Sequence, residues 1–171
     1  GSRLRLLNAQ ACALLNIDPE ESLSVAEQGL SRVGSNTQAH ISLLIAKARA
    51  LGKLKRHDDA RLVAESGLAL SSSVAELWLV LGESLRALEM PADALTAADQ
   101  GLEIDPEDYQ CWSLKAAALI DLGRHEQADE AVTRGLEIRP GHKPLVAARI
   151  VALHGLGRHE EALAGFEQPL K

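Results

Sequence analysis

Three of the six histidines, His57, His125 and His159, each stand between an arginine and an acidic residue. Imidazoles recurring in one local context suggest a metal site, whose ligand bonds would be about 2 Å long. Residues at one repeated position of stacked helical units, however, lie about 10 Å or more apart. They cannot share an ion, so they are assigned to turns between helices, and no metal or cofactor is expected. Cys12 is the one candidate nucleophile, yet no His or acid at a suggestive spacing would activate it. Cys111 is too distant along the chain to suggest a zinc spacing or a disulfide framework. With no Gly-rich phosphate loop and no Ser-His-Asp order, no catalytic residue is assigned and a non-enzyme is expected.

Two further groups have chemistry to offer. Trp78 and Trp112 would make a stacking platform for bases or sugars, but they share one early position of adjacent repeats, which places them on the seam between repeats. Arg49, Lys53 and Arg86 would suit an acidic peptide; Glu76 and Glu83 would equally neutralise them as a solvated face. The net charge of -6 argues against nucleic-acid binding, which needs clustered cations on phosphate, and makes a basic partner easier to accommodate. No apolar run approaches the roughly 20 residues that span a bilayer, so a soluble chain without membrane insertion is expected, its compartment (cytoplasmic or periplasmic) left open. Gly1-Ser2 has the form of an expression scar and no initiator Met is present, so a piece of a longer protein is expected.

The elements that must position these residues repeat. Gly101-Leu-Glu-Ile-Asp-Pro106 returns as Gly135-Leu-Glu-Ile-Arg-Pro140, an offset of 34 residues. At the same offset Leu122-Gly-Arg-His-Glu-Gln-Ala128 returns as Leu156-Gly-Arg-His-Glu-Glu-Ala162, and two periods upstream stands Leu54-Lys-Arg-His-Asp-Asp-Ala60. A fixed period of this size signals a stacked array. Ala and Leu dominate the 46% hydrophobic fraction and only four residues are aromatic, which favours closely packed helices over sheets. The repeats are read as 41–74, 75–108, 109–142 and 143–171, each an antiparallel helix pair, after a degenerate hairpin at 4–40 with a longer connection at 34–40. In the Ala75 repeat, Trp78, Leu81 and Leu85 line one helix face. Small residues at Ala48, Gly82 and Ala116, and at Ala60, Ala94, Ala128 and Ala162, let paired helices approach closely.

Trp78-x2-Leu81-Gly82-x2-Leu85, followed by Ala94 and Pro106, resembles the tetratricopeptide repeat family over essentially the whole chain, as about five hairpins. Leu85 replaces the family's usual aromatic residue, and the aromatic of the second helix is present only as Phe166. The resemblance implies an all-α fold, a right-handed α-solenoid of stacked antiparallel helix pairs forming a single array over 1–171. It also implies a concave groove lined by the first helix of each repeat, at the second, fifth, ninth, twelfth and thirteenth positions.

Carried over residue by residue, those positions place Arg5, Asn8, Cys12 and Asn16 in the first hairpin. Ser42, Ile45, Arg49 and Lys53 fall in the second, and Glu76, Leu79, Glu83 and Arg86 in the third. The fourth contributes Gln110, Ser113, Ala117, Ile120 and Asp121, and the fifth Pro144, Ala147, Val151 and His154. The lining thus changes from charged to small and apolar. The Lys and Asn pair with which co-chaperone members grip a terminal carboxylate is missing, so that clamp is not expected. The expected function is a protein-interaction scaffold binding a peptide or partner protein in the groove, with an accessory repeat region of a larger enzyme, secretion component or regulator as the alternative. Because Phe166 to Lys171 are not followed by a polar capping helix, either further repeats in the full protein or self-association through the C-terminal end is expected.

Overall fold

The computed structural model describes residues 2–162, which are all-α and contain no strand. Phe166 and the expected self-associating end at 166–171 lie outside the described residues. The chain divides after Leu88 into two compact units. The first holds α1 (Ser2–Leu14), α2 (Pro19–Leu30), α3 (Thr37–Lys53), α4 (His57–Leu70) and α5 (Ala75–Ala87). The second holds α6 (Pro91–Ile104), α7 (Tyr109–Asp121), α8 (His125–Ile138) and α9 (Lys143–Gly155). Within each unit consecutive helices pack, and first helices lie side by side: α1 on α3 and α3 on α5, and α7 on α9.

Helices α5, α7 and α9 start at Ala75, Tyr109 and Lys143. Helix α3 does not follow the period. It begins at Thr37, a turn before Ile41, because the Asn36 side chain accepts the Ala39 N–H at 2.9 Å and caps the extra turn. Residues 37–40, read from the sequence as connection, are therefore helix. Asp18 and Asp108 cap α2 and α7 in the same way.

Packing depends on small residues at the crossings. Ala48, Ala60, Ala94, Ala116 and Ala128 are fully buried. At the end of the second helices, Gly29, Gly67 and Gly135 each lie against one leucine of the following helix, Leu43, Leu77 and Leu145. A Cβ on any of the three glycines would come within 2.6 Å of a leucine methyl carbon. Each leucine has 0% exposure, and burying a leucine contributes roughly 1.5–3 kcal/mol. Trp78 and Trp112, on the expected seam, are only half-buried, and each indole N–H donates to the carbonyl of the turn before it, Ser72 and Pro106, at 2.9 Å. The indole thus fastens the loop as well as filling the seam.

The turns inside the four hairpins after α2 share one backbone shape. Lys55, Glu89, Gly123 and Gly157, spaced by 34, all have positive φ, at 59°, 60°, 71° and 74°. After Lys55, Gly123 and Gly157, the next residue's N–H reaches back five residues, Arg56 to Leu51, Arg124 to Leu119 and Arg158 to Leu153, which closes a Schellman cap. Glycine takes this left-handed shape freely, whereas Lys and Glu pay a Cβ clash of about 1–2 kcal/mol. Lys55→Gly is therefore expected to raise stability by about 0.5–1 kcal/mol in urea unfolding, part of the gain being offset by a looser unfolded chain. A loss of stability would show that Lys55 is unstrained.

Candidate partner-binding surfaces

The sequence-assigned groove residues fall into one group per unit. In the first, Arg5 and Asn8 of α1 line a cleft of about 620 Å³ whose other wall includes Gln38 and Ser42 of α3. Further along the same three first helices, Arg49 of α3 pairs with Glu76 of α5 at 3.0 Å. Cys12 of α1 feels both charges. Burial pushes its thiol above the ordinary 9.0, Arg49 pulls it back, and Glu76 raises it further. Cys12, Arg49 and Glu76 are thus brought together from successive helices. Arg49 is already neutralised in part, as the solvated-face reading expects, and a half-exposed pair of this kind is worth about 0–1 kcal/mol.

Lys53, Glu83 and Arg86 are exposed. Ile45 and Leu79, which the positional rule puts on the groove wall, are 8% and 2% exposed. They belong to the core, because α3 and α5 turn their fifth positions inward.

In the second unit Gln110 and Asp121 of α7 are exposed, and Ser113 is half-buried. Val151 of α9 is 48% exposed, and His154 presents its ring to that of His159, centroids 4.8 Å apart. Ala147 and Pro144 are exposed beside them, so α9 offers the apolar character expected of its repeat.

The turn histidines lie where the repeat puts them, His57 and His125 as the first residues of α4 and α8. The His125 ring rests on Gly155, where a Cβ would come within about 2.5 Å of ring carbons. The preceding arginines brace the turn: Arg56 donates to Asp59 at 2.8 Å, and Arg158 binds Glu161 while also reaching Asp129 at 3.2 Å. Among the described residues no group of three His, Cys, Asp or Glu could hold a metal, and no helix is long and apolar enough to cross a membrane.

Sequence reasoning missed two features. Cross-helix ion pairs join equivalent first helices to the preceding second helix, Lys47 with Glu27 at 2.9 Å and Lys115 with Asp99 at 2.7 Å. Tyr109 is flanked by the edge of His142, at 4.9 Å, and by Arg139, at 5.2 Å. Lys47 and Lys115 are two periods apart, which was the available signal; nothing marked the Tyr109 group.

These units define a class, the helical-hairpin repeat proteins. The tetratricopeptide repeat family model matches residues 85–148, so the α7–α8 hairpin within that stretch is a tetratricopeptide repeat. No curated protein matches the chain. Among solved structures, "MamA 41-end from Desulfovibrio magneticus RS-1" is 18% identical with a TM-score of 0.76, over 97% of this chain and 92% of that one. A crystal structure of MamA is 18% identical with a TM-score of 0.72, over 88% and 85%. Another MamA structure, "MamA AMB-1 C2221", reaches 20% identity and a TM-score of 0.67, over 98% and 96%. Identity this low carries the fold alone.

Proposed function

We propose that this chain holds a peptide or a partner protein against the first helices of its hairpins, in the groove that tetratricopeptide arrays present. One observation supports this most directly: Cys12, Arg49 and Glu76, from three successive first helices, meet on one face. A face assembled from several repeats reads an extended ligand, because each hairpin adds one rung of contacts. The raised Cys12 thiol is a poor nucleophile near neutral pH, which favours holding over catalysis.

The test begins by capturing partners with the wild-type chain and identifying them by mass spectrometry. The affinity of one of them is then measured with Arg49→Glu, Glu83→Lys and Arg86→Glu combined. About tenfold or weaker binding is expected, with little change from Arg61→Glu on α4. If the triple variant binds every captured partner as wild type does, the groove assignment is wrong.

A further inference from the structure

We propose that the groove between α6 and α8 is a second docking surface, one that takes a partner segment carrying an apolar residue between an acidic and a basic one. At about 100° per residue, its α7 residues Trp112, Lys115 and Leu119 face away from Gln110, Ser113, Ala117 and Asp121. The surface is therefore separate from the first-helix groove.

The groove encloses about 480 Å³ within the second unit. Trp112 and Leu119 of α7 form its floor, with Leu95 of α6 and Ala131 of α8 on either side. Leu95 and Trp112 are half-buried and lean on the core of the unit, so the floor is apolar and firmly backed. On the rim, Lys115 is held by Asp99 at 2.7 Å and Arg134 by Glu137 at 3.2 Å. The other three polar residues of the rim, Arg124, Gln127 and Glu130, are exposed and have no side-chain partner among the described residues. An apolar floor under a polar rim with open hydrogen-bonding capacity is the anatomy of a protein-docking site.

The repeat shows why Arg124 is free. Arg56 and Arg158 occupy the same position, and each holds the acid three residues on, Asp59 at 2.8 Å and Glu161 at 2.6 Å. Gln127 stands where that acid would be, so the Arg124 guanidinium keeps its parallel donors for a carboxylate from outside the chain. Glu130 offers acceptors to a cation, and the Gln127 carboxamide between them both donates to and accepts from a peptide backbone. Six residues of helix separate Arg124 from Glu130 by about 9 Å, the span of about three residues of extended chain. A segment whose acidic and basic residues stand three apart therefore meets both, while an apolar residue between them turns to Leu95 and Leu119.

The test uses the full chain and labelled peptides of equal length, read by fluorescence anisotropy. Their central residues are Glu-Leu-Ser-Lys, Gln-Leu-Ser-Gln and Glu-Ser-Ser-Lys. The first is expected to bind about tenfold tighter than either of the others. Arg124→Glu should cost that peptide about tenfold and transfer the preference to Lys-Leu-Ser-Lys, an exchange that a merely structural role would not produce. Glu107→Gln, on the exposed α6–α7 loop, should leave all four affinities unchanged. Equal binding of the first three peptides overturns the inference, as does the absence of binding at about 1 mM or a loss in Arg124→Glu without the exchange. The first-helix groove, tested through Arg49, Glu83 and Arg86, stands or falls separately.

Discussion

Leu77→Ala is expected to cost about 2–5 kcal/mol of stability, since it empties a site of 0% exposure in the first unit. Gly67→Ala attacks the same contact from the other side. Its new methyl would lie 2.6 Å from Leu77 Cδ2, an overpacking of about 1–3 kcal/mol, against a gain of about 1 kcal/mol from alanine's better helix propensity. Alone it should destabilise by up to about 2 kcal/mol. With Leu77→Ala already present the clash has no partner, and Gly67→Ala should become neutral or stabilising. Urea unfolding of the four proteins gives the coupling directly. Simple additivity would mean that the glycine and the leucine do not meet.

Ala128→Leu is the second large effect. Ala128 is fully buried among Ala116, Leu119, Val132 and Leu145 of the second unit's core, where α7 and α8 cross with only a methyl between them. Three further carbons must force the helices apart or twist side chains from their rotamers, at about 1–3 kcal/mol or more. Gln127→Leu, an equal apolar gain on the exposed neighbour, should stay within about 0.5 kcal/mol. Equal effects at the two positions would show that the crossing is loosely packed.

Both predictions concern residues that the sequence marks plainly, because glycines and alanines recurring every 34 residues at helical spacing have few other reasons to persist within the chain. The starts of α5, α7 and α9 follow from the same period. Helix α3 escaped it because Ser35, Asn36 and Thr37 read as loop, and only the structure shows Asn36 turned to cap a helix. The left-handed turn position was visible as Gly123 and Gly157 and hidden at Lys55 and Glu89, where the chain keeps the shape without the residue that suits it.

The candidate surface was less legible. A list of inward positions cannot say how far each helix is rotated, and rotation is what sends Ile45 and Leu79 into the core while Arg49 stays out. Nor does sequence show which polar groups have already been satisfied. Asn36 and Asn8 look alike along the chain, yet one holds a backbone N–H and the other holds nothing.

The glycine and leucine junctions also bear on mechanics. Leu43, Leu77 and Leu145 are spaced by multiples of 34, and the missing member of the series is Cys111, whose thiol turns to Asp108 at 3.4 Å. A sulfur there touches fewer atoms than a branched butyl group, so the α6–α7 joint resists deformation less than its counterparts. Cys111 is 0% exposed, so Cys111→Leu is expected to overpack the α6–α7 joint, at about 1–3 kcal/mol, and not to fill a space left there.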